Sequence, residues 1–501
     1  MIIQALNPTS QGTYPVNLYY VQETKAGRPA MKRTPGLIEN HSFGVLHPIR
    51  EMLVMGNYLY VIVGKSLHRR LKDTTAWLNL GTLTSYTGDC WMKGNGSQVM
   101  IVDSGMCWVY DALAGTLEQV SDPDLFTASC LAYHDGYFLI AGQNSDEWQC
   151  DRGHIVMTSP YDVSDCFDAL DYEASKKAPG NIAGIVSALG QVWILKEWSY
   201  QDYYNAGGSG FPFSPISGAN GDVGLSAAHS MVELDNSLMW LDDKYMVRRA
   251  FSYNLAQVVS TPRMAEEFQQ FTHVSDARAY SFNWHGNVFY ALTFPRENVT
   301  YVYNCTTSIQ RTKDLKADVF WHKWASFPNN GRHRSNCYAY FEGKHLVGDF
   351  LNGTLYELGG HHDDNHEIRS VLTYPIVGDG GRRVRHSSFT QHMKNGVGLI
   401  KNATEYLEQT DSEMIETVSG EGLNLSAAGI NAGETPKCFL QYSDDGGESW
   451  SAEAWADIGA IGDRYLMSRW RRLGSTKQHG RIYRTVVTDP VDIEIYNAEV
   501  V

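Results

Sequence analysis

The chain has 501 residues, enough for roughly two to four domains of ordinary size. Apolar residues make up 43%, aromatic residues 12% and charged residues 19%, with 46 glycines; this is the composition of a folded, β-rich protein of short strands and tight turns, and it excludes collagen, coiled coil and intrinsic disorder. A formal charge of −15, from 41 basic and 56 acidic residues, argues against a protein that coats nucleic acid with a basic surface, though not against one that surrounds DNA without gripping it.

From the N-terminus, Met1-Ile-Ile-Gln-Ala-Leu-Asn-Pro8 has no basic stretch followed by a long apolar run and does not read as a signal peptide. No run of about 18 apolar residues exists, so no membrane span is expected. Residues 1–45, with Pro8, Pro15, Pro29 and Pro35, read as an extended N-terminal arm.

A repeat then begins. A turn residue, one variable position and a short aromatic or aliphatic strand recur at Gly56, Gly96, Gly136, Gly190, Asn236, Gly286 and Gly343, in steps of 40, 40, 54, 46, 50 and 57 residues. A period near 40–50 residues is that of a four-stranded propeller blade. Second hairpins follow at once, as in Asp103-Ser-Gly105 before Met-Cys-Trp-Val-Tyr and Leu351-Asn-Gly353 before Thr-Leu-Tyr-Glu-Leu. The expectation is an all-β protein: a β-propeller of six or seven blades over 46–360, then a second antiparallel β-sandwich or barrel domain over 361–501, with 405–432 as a long surface loop. Unrelated hairpins in sandwiches are the alternative architecture. One helix is expected at Thr261-Pro-Arg-Met-Ala-Glu-Glu-Phe-Gln-Gln-Phe271, capped by Thr261 with Pro262 in first position. Phe211–Ile216 reads as an exposed apolar tip that contacts a partner.

The eight cysteines show no C-x-x-C spacing, so reduced, buried thiols are expected rather than a zinc site or a disulfide framework. His361-His-Asp-Asp-Asn-His-Glu367 has residue types that suit Zn²⁺ or Ni²⁺, but no helix spaces them, and a solvated linker is the reading preferred; neither a metal nor a cofactor is expected. There is no Walker A sequence and no Gly-x-Ser-x-Gly elbow.

Ser443-Asp-Asp445-Gly-Gly447-Glu-Ser-Trp450 resembles the Asp box of sialidases and related propellers. Its chemistry is that of a turn: Asp445 accepts backbone N–H bonds, Gly447 supplies positive φ and Trp450 packs the hairpin. A single copy outside the repeat array, with no fixed set of arginines and no tyrosine nucleophile, points to a structural turn and not to catalysis, so no enzyme is expected. Four basic clusters stand out in this acidic chain: Arg69-Arg70, Arg248-Arg249, Arg382-Arg383-Val-Arg385 and Arg469-Trp470-Arg471-Arg472. Solvated strand faces or carboxylate pairing across an interface are the first reading, and phosphate contact the second.

The order of shorter motifs carries a resemblance. Tyr14-Pro-Val-Asn17-Leu and Thr34-Pro-Gly36 open the chain. Ile182-Ala-Gly-Ile185, Leu189-Gly-Gln-Val-Trp-Ile-Leu195 and Tyr200-Gln-Asp-Tyr-Tyr204 follow, then Phe294-Pro-Arg296, Tyr301-Val-Tyr-Asn304 and Trp321-His-Lys-Trp324. Ser443-Asp-Asp-Gly446, Arg469-Trp-Arg-Arg-Leu-Gly474 and Asp489-Pro-Val491 close the series. In this order they resemble the tail hub, or nozzle, proteins of short-tailed bacteriophages, also called packaged-DNA stabilisation proteins; the 405–432 stretch and the 361–367 loop depart from the pattern.

The resemblance implies a structural virion protein, assembled in the host bacterial cytoplasm. It implies a hexameric ring below the portal and its adaptor ring that prolongs the DNA channel and retains the genome until ejection. Tail fibres or spikes, a needle or plug protein, and genomic DNA passing through are the implied partners. Within that ring, Arg469, Arg471 and Arg472, with Trp470 as a buried anchor, are expected at a subunit or adaptor contact, and Arg382, Arg383 and Arg385 with them. The alternative is a phage-associated glycan-binding or sialidase-like propeller protein.

Overall fold

The structure is a computed structural model and describes residues 2–3, 14–24, 27–142, 155–159, 167–168, 170–175, 180–208, 210–251, 256–311, 320–378, 381–399, 408–409, 415–416, 433–463, 465–477 and 479–501. The chain divides into two compact units, one of residues 37–306 and 331–359, the other of 1–36, 307–330 and 360–501.

The larger unit is a β-propeller of seven blades. Blade 1 is Ile49–Met55, Tyr58–Val63, Ser66–Leu71 and Trp77–Thr82; blade 2 runs over 90–119, blade 3 over 128–174, blade 4 over 182–221 and blade 5 over 232–258, each a four-stranded antiparallel meander. Blade 6 contributes Arg278–Trp284, Asn287–Phe294 and Val299–Asn304 from this unit. Blade 7 is Ser335–Phe341, Lys344–Asp349 and Thr354–Leu358, completed by Leu37–Ser42 from the start of the chain. The ring closes because the first strand of blade 1 lies beside the first strands of both blade 2 and blade 7.

The local causes are visible. Each of the seven sequence repeats places its turn residue between a blade's first and second strands. In blades 3 to 7 both central residues of that turn have positive φ, from Asp135-Gly136 (46° and 88°) to Glu342-Gly343 (54° and 77°). This two-residue geometry matches the right-handed twist of the flanking strands. The second strands are buried almost throughout, as in Gln191–Lys196 and Ser237–Leu241, because a neighbouring blade covers each face. The helix Pro262–Gln269 has the expected cap, Thr261 accepting from the Met264 N–H, and packs Phe268 on Phe294 and Tyr301 of blade 6. Phe211–Ile216 is not an exposed tip: Phe213 opens the fourth strand of blade 4 and is buried against Tyr137 and His134.

The smaller unit is a β-sandwich. One sheet runs Leu18–Val21, Ala30–Arg33, Glu494–Val500, Ser388–Met393, Ser468–Arg471; the other runs Ser370–Thr373, Ile482–Val487, Lys437–Ser443, Ala454–Asp457. Between them lies a core that includes Leu18, Tyr20, Met31, Leu372, Phe389, Leu440, Trp470, Tyr483 and Ile495. The N-terminal segment, expected as an extended arm, therefore supplies a hairpin to this sheet, with Leu18 opposite Arg33 and Met31 opposite Ile495. The Pro15-Val-Asn17 motif is a clasp: Asn17 adopts φ 54°, is fully buried, accepts from the Ala325 N–H (2.8 Å) and donates to the Arg369 carbonyl (3.0 Å). Gly36 is obligatory, since a Cβ there would lie 2.1 Å from the His362 carbonyl oxygen.

The six described cysteines are free and buried; burial pushes the thiols of Cys90, Cys107 and Cys438 up to about 12. Cys150 and Cys166 lie outside the described residues, as does nearly all of the 405–432 loop. No helix among the described residues is long and apolar enough to cross a membrane.

Candidate functional site: an arginine-rich sheet edge

The four basic clusters of the sequence separate into two kinds. In the propeller they are neutralised or stacked from within. Arg70 pairs with Glu342 (2.8 Å), Arg248 with Asp242 (2.6 Å) and Arg249 with Asp235 (2.8 Å), while Arg69 lies over the rings of Tyr58 and Tyr110. In the sandwich they are not. Arg382, Arg383, Arg385, Arg469, Arg471 and Arg472 are all exposed, and none has an ion-pair partner among the described residues.

The two sandwich clusters, 84 or more residues apart in sequence, lie on one continuous antiparallel pair. Ser388 stands opposite Arg471 and Thr390 opposite Arg469. Beyond Arg472, whose φ of 62° turns the chain and whose N–H bonds the Ser387 carbonyl (2.8 Å), Arg385 bridges Ser475. Thr476 and Val384 then bond reciprocally, through Thr476 N–H (2.8 Å) and the Thr476 hydroxyl (3.1 Å). Ser468–Arg471 is the edge strand of its sheet. The site is thus a sheet edge carrying six guanidinium groups on a chain of charge −15.

Strand alternation sorts the residues of the edge. Ser468 and Trp470 point inward, Arg469 and Arg471 outward. Trp470 is 5% exposed, meets Phe389 edge-on (5.8 Å) and donates its indole N–H to the Ala454 carbonyl (2.6 Å). It is an anchor of the chain's own core and is not available to a partner, which corrects the grouping of Trp470 with the contact arginines. The signal was in the sequence: Ser-Arg-Trp-Arg is an in-out alternation.

The Asp-box segment forms the turn after Lys437–Ser443. The Ser443 hydroxyl donates to Asp445 (2.6 Å) and accepts from the Gly447 N–H (2.8 Å), and Asp445 accepts from the Ser449 N–H (3.0 Å) and hydroxyl. Gly446 and Gly447 have φ of 85° and 104°. Bonds from Ser443 and Ser449 hold the Asp445 carboxyl far below its ordinary value, so it stays ionised and engaged in its own turn. Trp450 receives the Arg484 guanidinium over its ring at 3.8 Å, and Arg481 clamps neighbouring Asp444 through two bonds of 2.7 and 2.8 Å. Such a site builds a rigid loop. Asp445→Ala and Trp450→Ala are each expected to lower the melting midpoint of the sandwich by a few degrees and reduce folded yield; unchanged melting in both would contradict the structural role.

At 361–367, His362–Asp363 and His366–Glu367 form a small hairpin turned by Asp364 and Asn365 (φ 48° and 63°). The His366 ring stacks on Phe327 at 4.0 Å and 3°. Among the described residues no group of three or more His, Cys, Asp or Glu side chains is placed to hold a metal ion.

Comparison with known proteins agrees with this architecture. A search of curated proteins gives no match. Solved structures match only at low identity and low TM-score. They include an extracellular two component system domain from B. thetaiotaomicron (11% identity, 64% of this chain and 39% of that one, TM-score 0.41). PorZ of the type-IX secretion system of Porphyromonas gingivalis (11%, 72% and 44%, 0.35) and a chain of the mitotic checkpoint complex (11%, 65% and 94%, 0.40) are others. The chain spans less than half the length of the first two. Family models are specific where these are not: one described as bacteriophage P22 Gp10, beta-propeller, matches residues 10–362, and one described as bacteriophage P22 Gp10, beta-sandwich, matches 401–501. With both units matched in order over most of its length, the chain belongs to the bacteriophage P22 Gp10 family of tail hub, packaged-DNA stabilisation proteins.

Proposed function

We propose that the chain is a non-enzymatic ring subunit of a short phage tail, six copies closing below the portal and adaptor ring, and that the arginine edge of the sandwich is a subunit or adaptor contact. The observation that carries the reading is the set of six exposed guanidinium groups, without ion-pair partners among the described residues, at one sheet edge of an acidic chain. Guanidinium forks match carboxylates bidentately, and in a chain with 15 surplus acidic groups the complementary surface is another copy or an acidic neighbour. An edge strand also offers backbone groups for pairing, and arginines there exclude uncontrolled addition of strands. In the assembled ring the surplus negative charge faces a DNA channel without holding it, so the genome is retained by closure and released freely. Fibres or spikes attach outside, and a needle or plug closes the lower end.

The test is Arg469→Glu with Arg471→Glu, two outward residues whose change leaves the Trp470 packing alone. The purified double variant is expected to remain folded and monomeric where the native chain forms rings with portal and adaptor, and particles carrying it are expected to fill with DNA and then leak. Normal assembly and DNA retention would overturn the contact assignment; an altered ejection rate with intact assembly would place the cluster in the channel.

A further inference from the structure

Around the tip of blade 6, the first turns of blades 5, 6 and 7 border an open cleft of about 610 Å³. Alternation along Ser335–Phe341 turns Tyr338 and Tyr340 to one side and buries Ala339 and Phe341 on the other. Tyr338 stacks on Tyr280 of blade 6 (5.6 Å, 10°), which fixes the lower ring. Tyr340 stands above it, 56% exposed, 5.0 Å from the His345 ring. His345 is itself held, by the Tyr338 hydroxyl at 2.9 Å and by Trp284 edge-on at 5.7 Å. The result is an aromatic ledge, packed below and open above.

Beside the ledge stand neutral polar groups of blade 6, the Ser281 hydroxyl and the exposed Asn283 amide. Among the described lining residues the one carboxylate, Asp235, is already engaged by Arg249 at 2.8 Å. Burial lowers the His345 pKa, so its ring is neutral at pH 7. Among the described residues no lysine or arginine lines the cleft, so a phosphate or a nucleic-acid backbone finds no cation among them to pair with. A lipid chain or apolar peptide would have to cover the amide, hydroxyl and imidazole groups without satisfying them. A sugar ring fits both halves: its C–H face lies on an aromatic ring, and its hydroxyls donate to and accept from amide, hydroxyl and imidazole groups.

We propose that this cleft is a carbohydrate-binding site for a short stretch of neutral polysaccharide, with one sugar face on Tyr340 and hydroxyls directed to Asn283 and Ser281. It lies wholly within the propeller and is independent of the ring reading, so failure of ring assembly leaves its test unaffected.

The test is binding of the full chain to an array of bacterial surface oligosaccharides, neutral and acidic, followed by calorimetric titration with the neutral oligosaccharide bound most strongly. Tyr340→Ala and Asn283→Ala are each expected to weaken that binding about tenfold with no change in melting midpoint, while Tyr340→Phe keeps the stacking face and most of the affinity. The proposal is overturned if the native chain binds no neutral glycan at millimolar concentration, or if both alanine variants bind as the native chain does. Binding confined to acidic glycans overturns it equally.

Discussion

Arg33→Ala is expected to destabilise the sandwich by about 3–5 kcal/mol, the cost of emptying a buried, fully engaged cationic position. Arg33 stands in the N-terminal hairpin and is 5% exposed. Its guanidinium donates to the Ser370 hydroxyl (3.0 Å) and to the carbonyls of Ile368 (2.8 Å), Val487 (3.3 Å), Asp489 (2.5 Å) and Val491 (3.1 Å). These acceptors belong to two stretches more than 330 residues away in the chain. Burial, the largest influence, pulls the guanidinium down to about 10, so it remains charged at pH 7. Alanine leaves several carbonyls dry and without a donor. Lysine, with a compact head and three donors, reaches fewer of them, so Arg33→Lys is expected to recover part of the loss. The measurement is thermal unfolding with limited proteolysis: the sandwich transition should fall and cleavage should appear around residues 18–33. A variant that melts and resists protease like the native chain would show that the N-terminal hairpin is not bolted by this residue.

Asp103→Ala is expected to cost the propeller a similar ~3–5 kcal/mol, because it strands a buried arginine. Arg50, in the first strand of blade 1, is 1% exposed, and Asp103, at the end of the second strand of blade 2, is 0% exposed. They meet at 2.6 Å. Asp103 also accepts from the N–H groups of Thr84 (3.0 Å) and Ser85 (2.8 Å) and from the Ser85 hydroxyl (2.6 Å). The remaining Arg50 donors reach the carbonyls of Gly64, Ser85, Gly88 and Asp89. Blade 1, the linking turn and blade 2 thus share one polar knot, and its loss acts where the ring of blades must stay closed. Arg50→Met with Asp103→Leu, which removes both charges, is expected to cost less than Asp103→Ala alone. Burial works to raise the Asp103 carboxyl, but bonds from Arg50 and Ser85 outweigh it and hold the group below its ordinary value. A depressed folded pKa gives stability that is present above the unfolded value, about 3.9, and lost as pH falls through the folded one. Acid unfolding of the native propeller should therefore lose this contribution below about pH 4, and the double variant should lack that component. Equal melting of Asp103→Ala and the native chain would remove the knot from the account.

The motifs that carried the family resemblance acquire physical reasons here. Asn17 of the opening Pro-Val-Asn is a left-handed residue whose amide ties two strands, and Gly36 is a place where no side chain fits. Trp470 is core, and the arginines beside it are surface. Asn17, Gly36 and Trp470, three residues of these motifs, hold the fold together.

The sequence by itself determined what is local. Seven turns with residues that accept positive φ, each followed by an apolar strand, are enough to place the first hairpin of every blade. Thr261-Pro262 is enough to start the helix, and Ser443–Trp450 to shape its turn. Only the tertiary structure decided what pairs over long range. Leu37–Ser42 looks like the end of an arm, yet it completes blade 7 beside Thr354–Leu358, because a ring of sheets is closed by a strand from the other end of the chain. The hairpin before it joins the sandwich, since its apolar face needs a second sheet to cover it. Arg248-Arg249 and Arg469–Arg472 are alike as sequence; the carboxylates folded against the first pair, and the solvent beside the second, make one structural and the other a candidate contact. Tyr338, Tyr340 and His345 of the aromatic ledge are near one another in sequence, but the Tyr280 that packs beneath them and the Ser281 and Asn283 beside them come from blade 6, so no short window of sequence contains the cleft. Side-chain periodicity reports one strand at a time, whereas a site is made by the strands that the fold brings beside it.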